Sequence, residues 1–481
     1  MNSTDPVIHE AEPDIDENDL ESRRGRPAAC TKPKFNSICV GVTPVSPQMT
    51  HARRLTMSNA ASDTAVSEVT IETRSSTGPV TGAARIDTLD ILRGFALFGI
   101  LVINIQLFAM VQATLINPTA MGPITGLDYA IWLVSHVVFF EKFIAIFSML
   151  FGAGIVLMTT RAEQTGTGGA LALHFHRMFW LLVIGLIHAY FIWAGDILVS
   201  YALIGMVIVF VRHWSARSLV ILGGGFLALH LAIAAALGFA IPWLPEEEIR
   251  AIEADVWVPA ASQLAAEISA YRGGFAAQMP IRAAQSLNFH LFVFPTETLH
   301  YVVALMAFGM AAMKSGFLSG EWSERVYWRV AIAGLAIGLP LVGLGVVMNE
   351  RHGWDMLFSL YFGRMFNTAA APLVAVSYIA LVILATRRFG PAMKAVFTPV
   401  GRMAFTNYLA QSMICTFIFY GHGLGLFMEV GRPAQVLVVL AVWVAMPLWS
   451  RAWLARFRFG PAEWLWRSLS YRRVQPMLRY G

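Results

Sequence analysis

Apolar stretches of about twenty residues alternate with short polar segments from residue 85 to the carboxyl end of the chain. A helix needs about 20 apolar residues to cross a hydrocarbon core of ~30 Å, so each stretch predicts one membrane-spanning helix. The second stretch is long enough for a helix that is tilted, kinked at Glu141–Phe143 or partly interfacial. The predicted spans lie near 89–111, 129–158, 176–194, 197–212, 217–241, 291–313, 327–348, 357–386, 398–420 and 434–454.

This pattern predicts an all-α fold: a polytopic integral membrane helix bundle of about ten transmembrane helices. The two spans on either side of Gly195–Asp196 are expected to form a tight helical hairpin. Ten spans place both termini on the same side of the membrane.

Basic residues in the connecting loops predict which side that is, because Lys and Arg are retained in cytoplasmic loops. Every second loop is basic, whereas 112–128 and Gly195–Asp196 contain no Lys or Arg. Both termini are therefore predicted to be cytoplasmic. The basic positions are Arg85, then Arg161 and Arg177, Arg212 and Arg217, Lys314 and Arg325, Arg387, Arg388 and Lys394, and finally seven arginines from Arg451 to Arg479.

Three segments lie outside the predicted spans. The loop 242–290 is acidic overall and interrupted by four prolines, and it contains helical material from Glu246 to Ile268, so we expect a small periplasmic cap. Residues 1–84 are rich in Ser, Thr, Pro, Asp and Arg without periodicity, which predicts a disordered tail. A misassigned start and a regulatory tail are the alternatives. Residues 476–481 are expected to form a short carboxyl-terminal tail after a transmembrane domain of 85–475.

Composition agrees with a membrane protein. Hydrophobic residues make up 57% of the chain and charged residues 14%, with a mean hydropathy of +0.59, whereas soluble domains carry about 25% charged residues. The net charge of +5 is explained by basic loops that face anionic lipid. We therefore expect membrane lipids as partners and no nucleic acid. The sequence predicts no oligomeric state, and Cys30, Cys39 and Cys415 do not have a metal or disulfide spacing.

Two motifs carry a resemblance to a known family. The first is Leu-Asp-x-x-Arg-Gly at 89–94, and the second is Gly401-Arg402-Met403-Ala404-Phe405-Thr406-Asn407-Tyr408 followed by Phe-Gly-Pro-Ala-Glu-Trp at 459–464. Shorter matches at 141–154 and 185–198 agree in order. Over 85–475 the chain resembles the YeiB-like family of bacterial membrane proteins, whose carboxyl-terminal half is domain of unknown function 418. The resemblance implies a multi-pass protein of the bacterial inner membrane.

The first motif is also similar to one in membrane acyltransferases, including the acetyltransferase that acetylates heparan glucosamine. This similarity implies an acyl-transfer ancestry. Those enzymes have a histidine after the first span on the non-cytoplasmic side, and 112–128 contains none. The likeness therefore does not assign a catalytic histidine to this chain.

Polar residues near the predicted cytoplasmic ends of the spans are candidates for ligand binding. Asp90 and Arg93 are three residues apart and share a helix face. They either form part of a site for an anionic donor, such as an acyl-CoA or a lipid headgroup, or pair structurally, and Gly94 would permit close packing. Arg177 and Arg402 either complete such a site or anchor to lipid phosphate. These four residues, Asn407 and Arg364 are our ligand-binding candidates, although Arg364 enters its span from the periplasmic side.

Polar residues near mid-bilayer and beyond are candidates for catalysis, because ionisable groups cost ~2.5–3.5 kcal/mol there. His188 lies roughly 16 Å along a helix from Arg177 and has Asp196 at the turn above it, as expected of a general base with an orienting carboxylate. A structural polar contact is the alternative. Of the consecutive Glu141 and Lys142, we expect Glu141 to face the interior. Glu297 and His300 share a face and complete the catalytic candidates His188, Asp196, Glu141, Glu297 and His300.

Two functions follow from this arrangement. One is acyl transfer from a cytoplasmic donor to an envelope sugar or lipid. The other is transport or flipping of a small anionic or lipid-linked solute, with Glu141, His188 and Glu297 as a proton relay. A non-enzymatic membrane component is the third interpretation. The histidines do not have metal-ligand spacing, so no metal site is predicted, and the sequence identifies no cofactor.

Overall fold

The computed structural model describes residues 86–164 and 169–479. The predicted tail 1–84, Arg85 and the last two residues lie outside the described residues. The described chain is helical, and its one β-type pairing is a bridge between Phe457 and Leu478. The α-helices are α1 Asp87–Ala109, α2 Ala113–Ile116, α3 Gly126–Val134, α4 Lys142–Gln164, α5 Ala170–Ile187, α6 Leu198–Ile208, α7 Ala216–Ala240, α8 Glu246–Ile252, α9 Ala261–Arg272, α10 Phe275–Asn288, α11 Leu299–Lys314, α12 Glu324–Arg351, α13 Arg364–Arg388, α14 Gly390–Arg402, α15 Ala404–Phe419, α16 Arg432–Arg456 and α17 Pro461–Ser470.

Several helices run into one another through π-helical turns. The π-helical segments are Ser135–Phe139, His188–Ile192, Glu253–Trp257, Phe289–Thr298 and Leu357–Gly363. Within the described residues, eight helical segments are long and apolar enough to cross a membrane: Asp87–Ala109, Gly126–Gln164, Ala170–Ile192, Ala216–Trp243, Phe275–Lys314, Glu324–Arg351, Leu357–Arg388 and Arg432–Arg456. The predicted all-α polytopic bundle is confirmed.

Two further predicted spans correspond to shorter helices. Residues 197–212 form the apolar helix Leu198–Val211, which packs against α5 in the expected hairpin. The prediction of one helix over 398–420 is wrong, because the chain breaks at Met403 between α14 and α15. The helix that follows the break, α15, has only 16 residues. The count of ten spans therefore stays a prediction.

The centre of the bundle consists of α1, α4 and α13, whose apolar segments are about two-thirds buried. Their side chains meet in one hydrophobic core that includes Leu92, Ile146 and Ile379. The segment of α7, by contrast, is only 11% buried and forms the outside of the bundle. Burial by neighbouring helices thus identifies the helices that can hold charged groups away from lipid.

The two ends of the bundle differ. We call the end where α1 begins and α16 finishes the basic end, since Arg93, Arg177, Arg402 and Arg451 lie there. Helices α8, α9 and α10 cover the opposite end, which we call the cap end. The predicted cap is helical, but Val258–Ala260 separate α8 with its π-helical turn from α9. Helix α10 then continues without interruption into α11, so the helical segment that corresponds to the sixth predicted span begins at Phe275 rather than near 291.

The last described residues are bound to the end of α16. The backbone N–H of Arg458 donates to Met477 O at 2.8 Å, and that of Arg479 donates to Arg456 O at 3.1 Å. These bonds hold the chain up to Arg479 against the end of α16. The domain boundary at residue 475 stays a prediction.

Candidate functional site

Asp90 and Arg93 form the ion pair that their spacing predicts. Arg93 Nη1 lies 3.1 Å from Asp90 Oδ1, and the Asp90 side chain is 1% exposed whereas that of Arg93 is 29% exposed. The Arg93 guanidinium lies beside Gly154 of α4, where a Cβ would be 3.9 Å from Arg93 Nη2, an ordinary van der Waals distance. The pair is thus buried on its acidic side and open on its basic side. This geometry permits both a structural role and anion binding by Arg93.

Gly94 serves helix packing. A Cβ on Gly94 would overlap Phe397 O of α14, and a Cβ on Gly401 would overlap Asp90 O of α1. The two glycines therefore allow the backbones of α1 and α14 to touch, as small residues do where membrane helices cross closely. The first and second sequence motifs meet at this crossing.

The second motif is joined to the end of the chain by Glu463 of α17. Its Oε1 accepts hydrogen bonds from the backbone N–H groups of Phe405 at 2.7 Å and Thr406 at 3.1 Å, and Thr406 Oγ1 donates to Oε2. Glu463 thus caps the first turn of α15, whose N–H groups have no partner within the helix. Burial raises the pKa of Glu463, and the hydrogen bonds from Thr406 and Phe405 oppose this effect. Sequence reasoning missed this role, although the Gly-Pro-Ala-Glu pattern resembles a helix start.

Arg177 also contacts this carboxyl-terminal helix. Its guanidinium lies 4.1 Å above the Trp466 ring, and Trp466 Nε1 donates to Arg177 O at 2.8 Å. Arg402 lines an open cleft of about 310 Å³ at the same end, together with Lys394, Arg451 and Arg479. Arg177 and Arg402 therefore both lie at the basic end, where their sequence positions placed them.

Asn407 has a buried structural environment. Its Nδ2 donates to Val400 O at 3.1 Å and to Ser450 Oγ at 3.0 Å, while its Oδ1 accepts from Trp449 Nε1 at 2.6 Å. These contacts occupy both donors and the carbonyl of the amide. We therefore leave Asn407 out of the proposed site.

His188 and Asp196 form a buried pair. His188 Nδ1 lies 2.8 Å from Asp196 Oδ1, and both side chains are at most 1% exposed. Asp196 Oδ2 accepts a second hydrogen bond, at 2.9 Å, from the backbone N–H of Val199 at the start of α6. Asp196 thus holds the imidazole of His188 in place and also accepts a hydrogen bond from the first turn of α6. His188 Nε2 has no hydrogen-bond partner among the described residues, and the ring lies beside Tyr408, with centroids 5.2 Å apart.

The cap holds the backbone around His188. The chain passes from α5 into a π-helical segment, His188–Ile192. The hydrogen-bond pattern of the α-helix changes there, and two carbonyl groups of this segment accept hydrogen bonds from side chains of the cap. Ser286 Oγ of α10 donates to Ala189 O at 3.0 Å, and Arg282 Nη1, one turn earlier, donates to Phe191 O at 2.6 Å. Arg282 is fully buried. Sequence reasoning had assigned Arg282 only to a loop.

A second polar cluster surrounds Arg364. Its Nη1 lies 2.9 Å from Glu297 Oε2, and its Nε lies 3.6 Å from Glu141 Oε1. Thr368 Oγ1 donates to Glu141 at 3.4 Å. Lys142 Nζ donates to Asn367 Oδ1 and, at 3.0 Å, to His136 O. Two carboxylates and two cations are therefore gathered at one place, so that the charges offset each other. Lys142 is buried and Glu141 is 11% exposed, whereas the side chains of Arg364 and Glu297 are 31% and 40% exposed.

The prediction that only Glu141 faces the interior is wrong, because Lys142 is completely buried as well. The reason lies in the backbone. Glu141 has a φ of 67°, which is uncommon for a residue with a Cβ, and it interrupts the helix between Phe139 and Lys142. Consecutive side chains of a regular helix point in different directions, but this does not hold across the break at Glu141. Of the three alternatives for the second predicted span, which were a tilted helix, a kink at Glu141–Phe143 and a partly interfacial helix, the break at Glu141 favours the kink.

Each segment that supplies a charged residue to this cluster contains π-helical turns beside it. They are Ser135–Phe139 before Glu141, Phe289–Thr298 around Glu297 and Leu357–Gly363 before Arg364. Such turns occur frequently at functional sites. A cavity of about 40 Å³ between α7 and α13 adjoins Glu297, Arg364, Thr368 and His230, large enough for water.

Four of the five catalytic candidates are divided between two clusters. His188 and Asp196 lie at the hairpin of α5 and α6, whereas Glu141 and Glu297 lie around Arg364. His300 stacks on Phe226, with centroids 6.5 Å apart, and its Nδ1 has no hydrogen-bond partner among the described residues. Within the described chain, no hydrogen bond or ion pair joins the two clusters. The sequence indicated a similar depth for these residues but not their lateral separation.

Buried charged clusters inside a bundle of long apolar helices define a multi-pass membrane protein. The chain belongs to the YeiB-like family, as its motifs indicated. It is 32% identical over 399 residues to the uncharacterized protein YeiB of Escherichia coli (strain K12). The aligned residues cover 81% of this chain and 97% of YeiB. It is 33% identical over 425 residues to the uncharacterized protein YxaH of Bacillus subtilis (strain 168). The aligned residues cover 84% of this chain and 99% of YxaH.

A third relative is the uncharacterized 39.9 kDa protein in amylase 3'region of Bacillus acidopullulyticus. It is 26% identical over 405 residues, which cover 83% of this chain and 98% of the relative. The family described as Protein of unknown function (DUF418) matches residues 312–473. This match includes α12 to α17 and therefore both Arg364 and the Glu463 cap.

Proposed function

We propose that this protein transfers an acyl group from a cytoplasmic donor to a sugar or lipid of the cell envelope, within the bacterial inner membrane. The observation that carries the proposal is the His188–Asp196 pair. A buried imidazole whose Nδ1 is held by a carboxylate and whose Nε2 is without a partner is the arrangement of a general base. In this proposal the basic end faces the cytoplasm and the cap end faces the periplasm.

The transfer from a thioester donor takes place in two linked steps. His188 Nε2 accepts the proton of an acceptor hydroxyl while the hydroxyl oxygen forms a bond to the acyl carbon. The carbon–sulfur bond then breaks, and the proton on Nε2 passes to the leaving thiolate. Asp196 holds Nδ1 of His188 and stabilises the imidazolium between these steps.

Arg93 and Arg177 are the residues that we assign to the donor's phosphates. Arginine binds phosphate with two parallel hydrogen bonds, and both residues lie at the basic end. Arg177 and His188 belong to the same helical segment and are roughly 16 Å apart along its axis. An extended donor bound at Arg93 and Arg177 would lie along α5 with its thioester towards His188.

The test is turnover of acetyl-CoA labelled in its acetyl group, with purified protein and inner-membrane vesicles as the source of acceptor. His188→Gln keeps a hydrogen-bonding side chain but cannot titrate, so we expect loss of turnover with donor binding nearly unchanged. Arg93→Ala should instead weaken donor binding. Full turnover by His188→Gln would show that His188 is structural and would refute the assignment.

The Arg364 cluster favours a second function, transport of a small anionic or lipid-linked solute. Charged residues beside interrupted helices and a cavity are found where membrane proteins move ions or substrates. The test is counterflow of labelled carboxylates and phosphate esters in proteoliposomes. Exchange of chemically unchanged solute that Glu141→Gln abolishes would support transport, and its absence together with acetyl turnover would support the enzyme.

A further inference from the structure

The cleft at the basic end has a strongly positive charge. Among the described residues, its lining contains the cationic side chains of Lys394, Arg402, Arg451 and Arg479 and the carboxylate of Asp87. Asp87 is paired with Lys394 at 2.7 Å, and Arg451 and Arg479 add two further positive charges to the lining. A concave surface with this excess charge attracts an anion.

The positions of the arginines are fixed by the fold. Arg451 belongs to the last turns of α16, and Arg402 ends α14. The backbone bonds between the carboxyl-terminal residues and the end of α16 place Arg479 opposite them. Thr398 Oγ1, also in the lining, is buried and has no hydrogen-bond partner among the described residues. The cleft therefore offers guanidinium groups and one unsatisfied hydroxyl.

An apolar surface leads directly into this cleft. Val444 and Leu448 are 67% and 62% exposed, and they lie on the same face of α16 as Arg451 and Ala455, since these positions repeat every three or four residues. Leu454, Ala455 and Pro399 supply the apolar part of the lining. An acyl chain can lie along the exposed face of α16 while its headgroup occupies the cleft.

We propose that this cleft is a binding site for the phosphate headgroup of an anionic phospholipid in the leaflet at the basic end. Arg451 and Arg479 bind the phosphate oxygens, and Thr398 provides a hydrogen bond. The exposed apolar face of α16 favours a lipid over a soluble phosphate compound, because a soluble compound has no acyl chain that could pack on this face. This site is separate from the donor site assigned to Arg93 and Arg177, and it does not depend on acyl transfer.

The experiment compares lipid binding to the purified full-length protein by native mass spectrometry. Phosphatidylglycerol and phosphatidylcholine with identical acyl chains are added in turn. We expect retention of phosphatidylglycerol, with the Arg451→Gln/Arg479→Gln variant binding it roughly thirty-fold less well, since each basic residue near an anionic headgroup contributes ~1 kcal/mol. Arg451→Lys/Arg479→Lys keeps both charges and should retain most of the binding, which distinguishes lost binding from lost folding.

Arg217→Gln is the matched control, because Arg217 is an exposed arginine near the start of another span. An equal loss in this control would show that only general surface charge attracts the lipid and would refute the site. Glycerol phosphate tests the other source of the same chemistry. If it binds as tightly as phosphatidylglycerol, the cleft is a site for a soluble phosphate and the lipid proposal is wrong.

Discussion

Glu463 and Thr406 are 57 residues apart in the sequence, and the carboxylate of Glu463 accepts hydrogen bonds from both the backbone N–H and the side-chain hydroxyl of Thr406. Replacing Glu463 by Ala leaves the first turn of α15 without its cap. Loss of a side-chain cap destabilises a protein by about 0.5–2 kcal/mol, and burial places this example at the upper end. We expect a lower Tm of the detergent-solubilised protein.

The control for this prediction is Glu247→Ala, since Glu247 is an exposed residue of the same type in the cap. Its Tm should stay near that of the unmodified protein. Equal Tm values for Glu463→Ala and the unmodified protein would contradict the proposed capping role.

Gly94→Ala and Gly401→Ala are each expected to destabilise the protein strongly. The added methyl group would overlap a backbone oxygen of the facing helix, and backbone cannot move aside as a side chain can, so α1 and α14 must separate. Overpacking of this kind costs about 1–3 kcal/mol. Thermal unfolding measures the effect.

Gly224→Ala in α7 is the matched control, because a Cβ there meets no atom within 4 Å. Alanine also favours the helix relative to glycine, so this variant should be neutral or more stable. Similar losses in all three variants would show that helix packing at Gly94 and Gly401 is not the cause.

The role of the Asp90–Arg93 pair can be decided by a double-mutant cycle. Asp90 is almost fully buried, so Arg93→Ala removes a cationic partner from a buried carboxylate and should lower the Tm. If the pair is only structural, the double variant Asp90→Ala/Arg93→Ala should recover much of this loss. Donor binding measured on the same variants tests the second role, and unchanged binding in the double variant would remove Arg93 from the proposed donor site.

Arg282→Met is expected to loosen the backbone around His188. The substitution removes the donor to Phe191 O, a partly buried hydrogen bond, and the loss of a hydrogen-bond partner costs about 1–3 kcal/mol where the remaining group is buried. Hydrogen exchange of the amides in His188–Ile192 should become faster. Arg250→Met, at an exposed arginine of α8, is the control, and equal exchange in both variants would show that the cap does not support this segment.

Reporter fusions test the orientation. A fusion after Glu267, in the cap, should report the periplasm, and a fusion at Gly481 should report the cytoplasm, because the basic loops are expected inside. The same compartment for both fusions would rule out the orientation on which the proposed donor and acceptor sides depend.

The sequence alone determined the class of protein and the approximate position of most helices. Apolar stretches of membrane-spanning length leave few alternatives to helices, because every backbone polar group in lipid must be satisfied within the chain. The Asp90–Arg93 pair and the His188–Asp196 pair were also predictable. Each joins residues at most eight positions apart, so local helical geometry and one tight turn decide whether they meet.

Only the tertiary structure decided which distant residues meet. Glu463 and Thr406, Arg282 and Phe191, and Arg364 and Glu141 are joined by the packing of helices whose order in space no local pattern records. The break at Glu141 had the same effect on a smaller scale, because a positive φ turned two consecutive charged residues towards the same interior. Helical periodicity assigns a side chain to a face of its own helix, whereas the neighbour on that face depends on how the remaining helices fill the bundle.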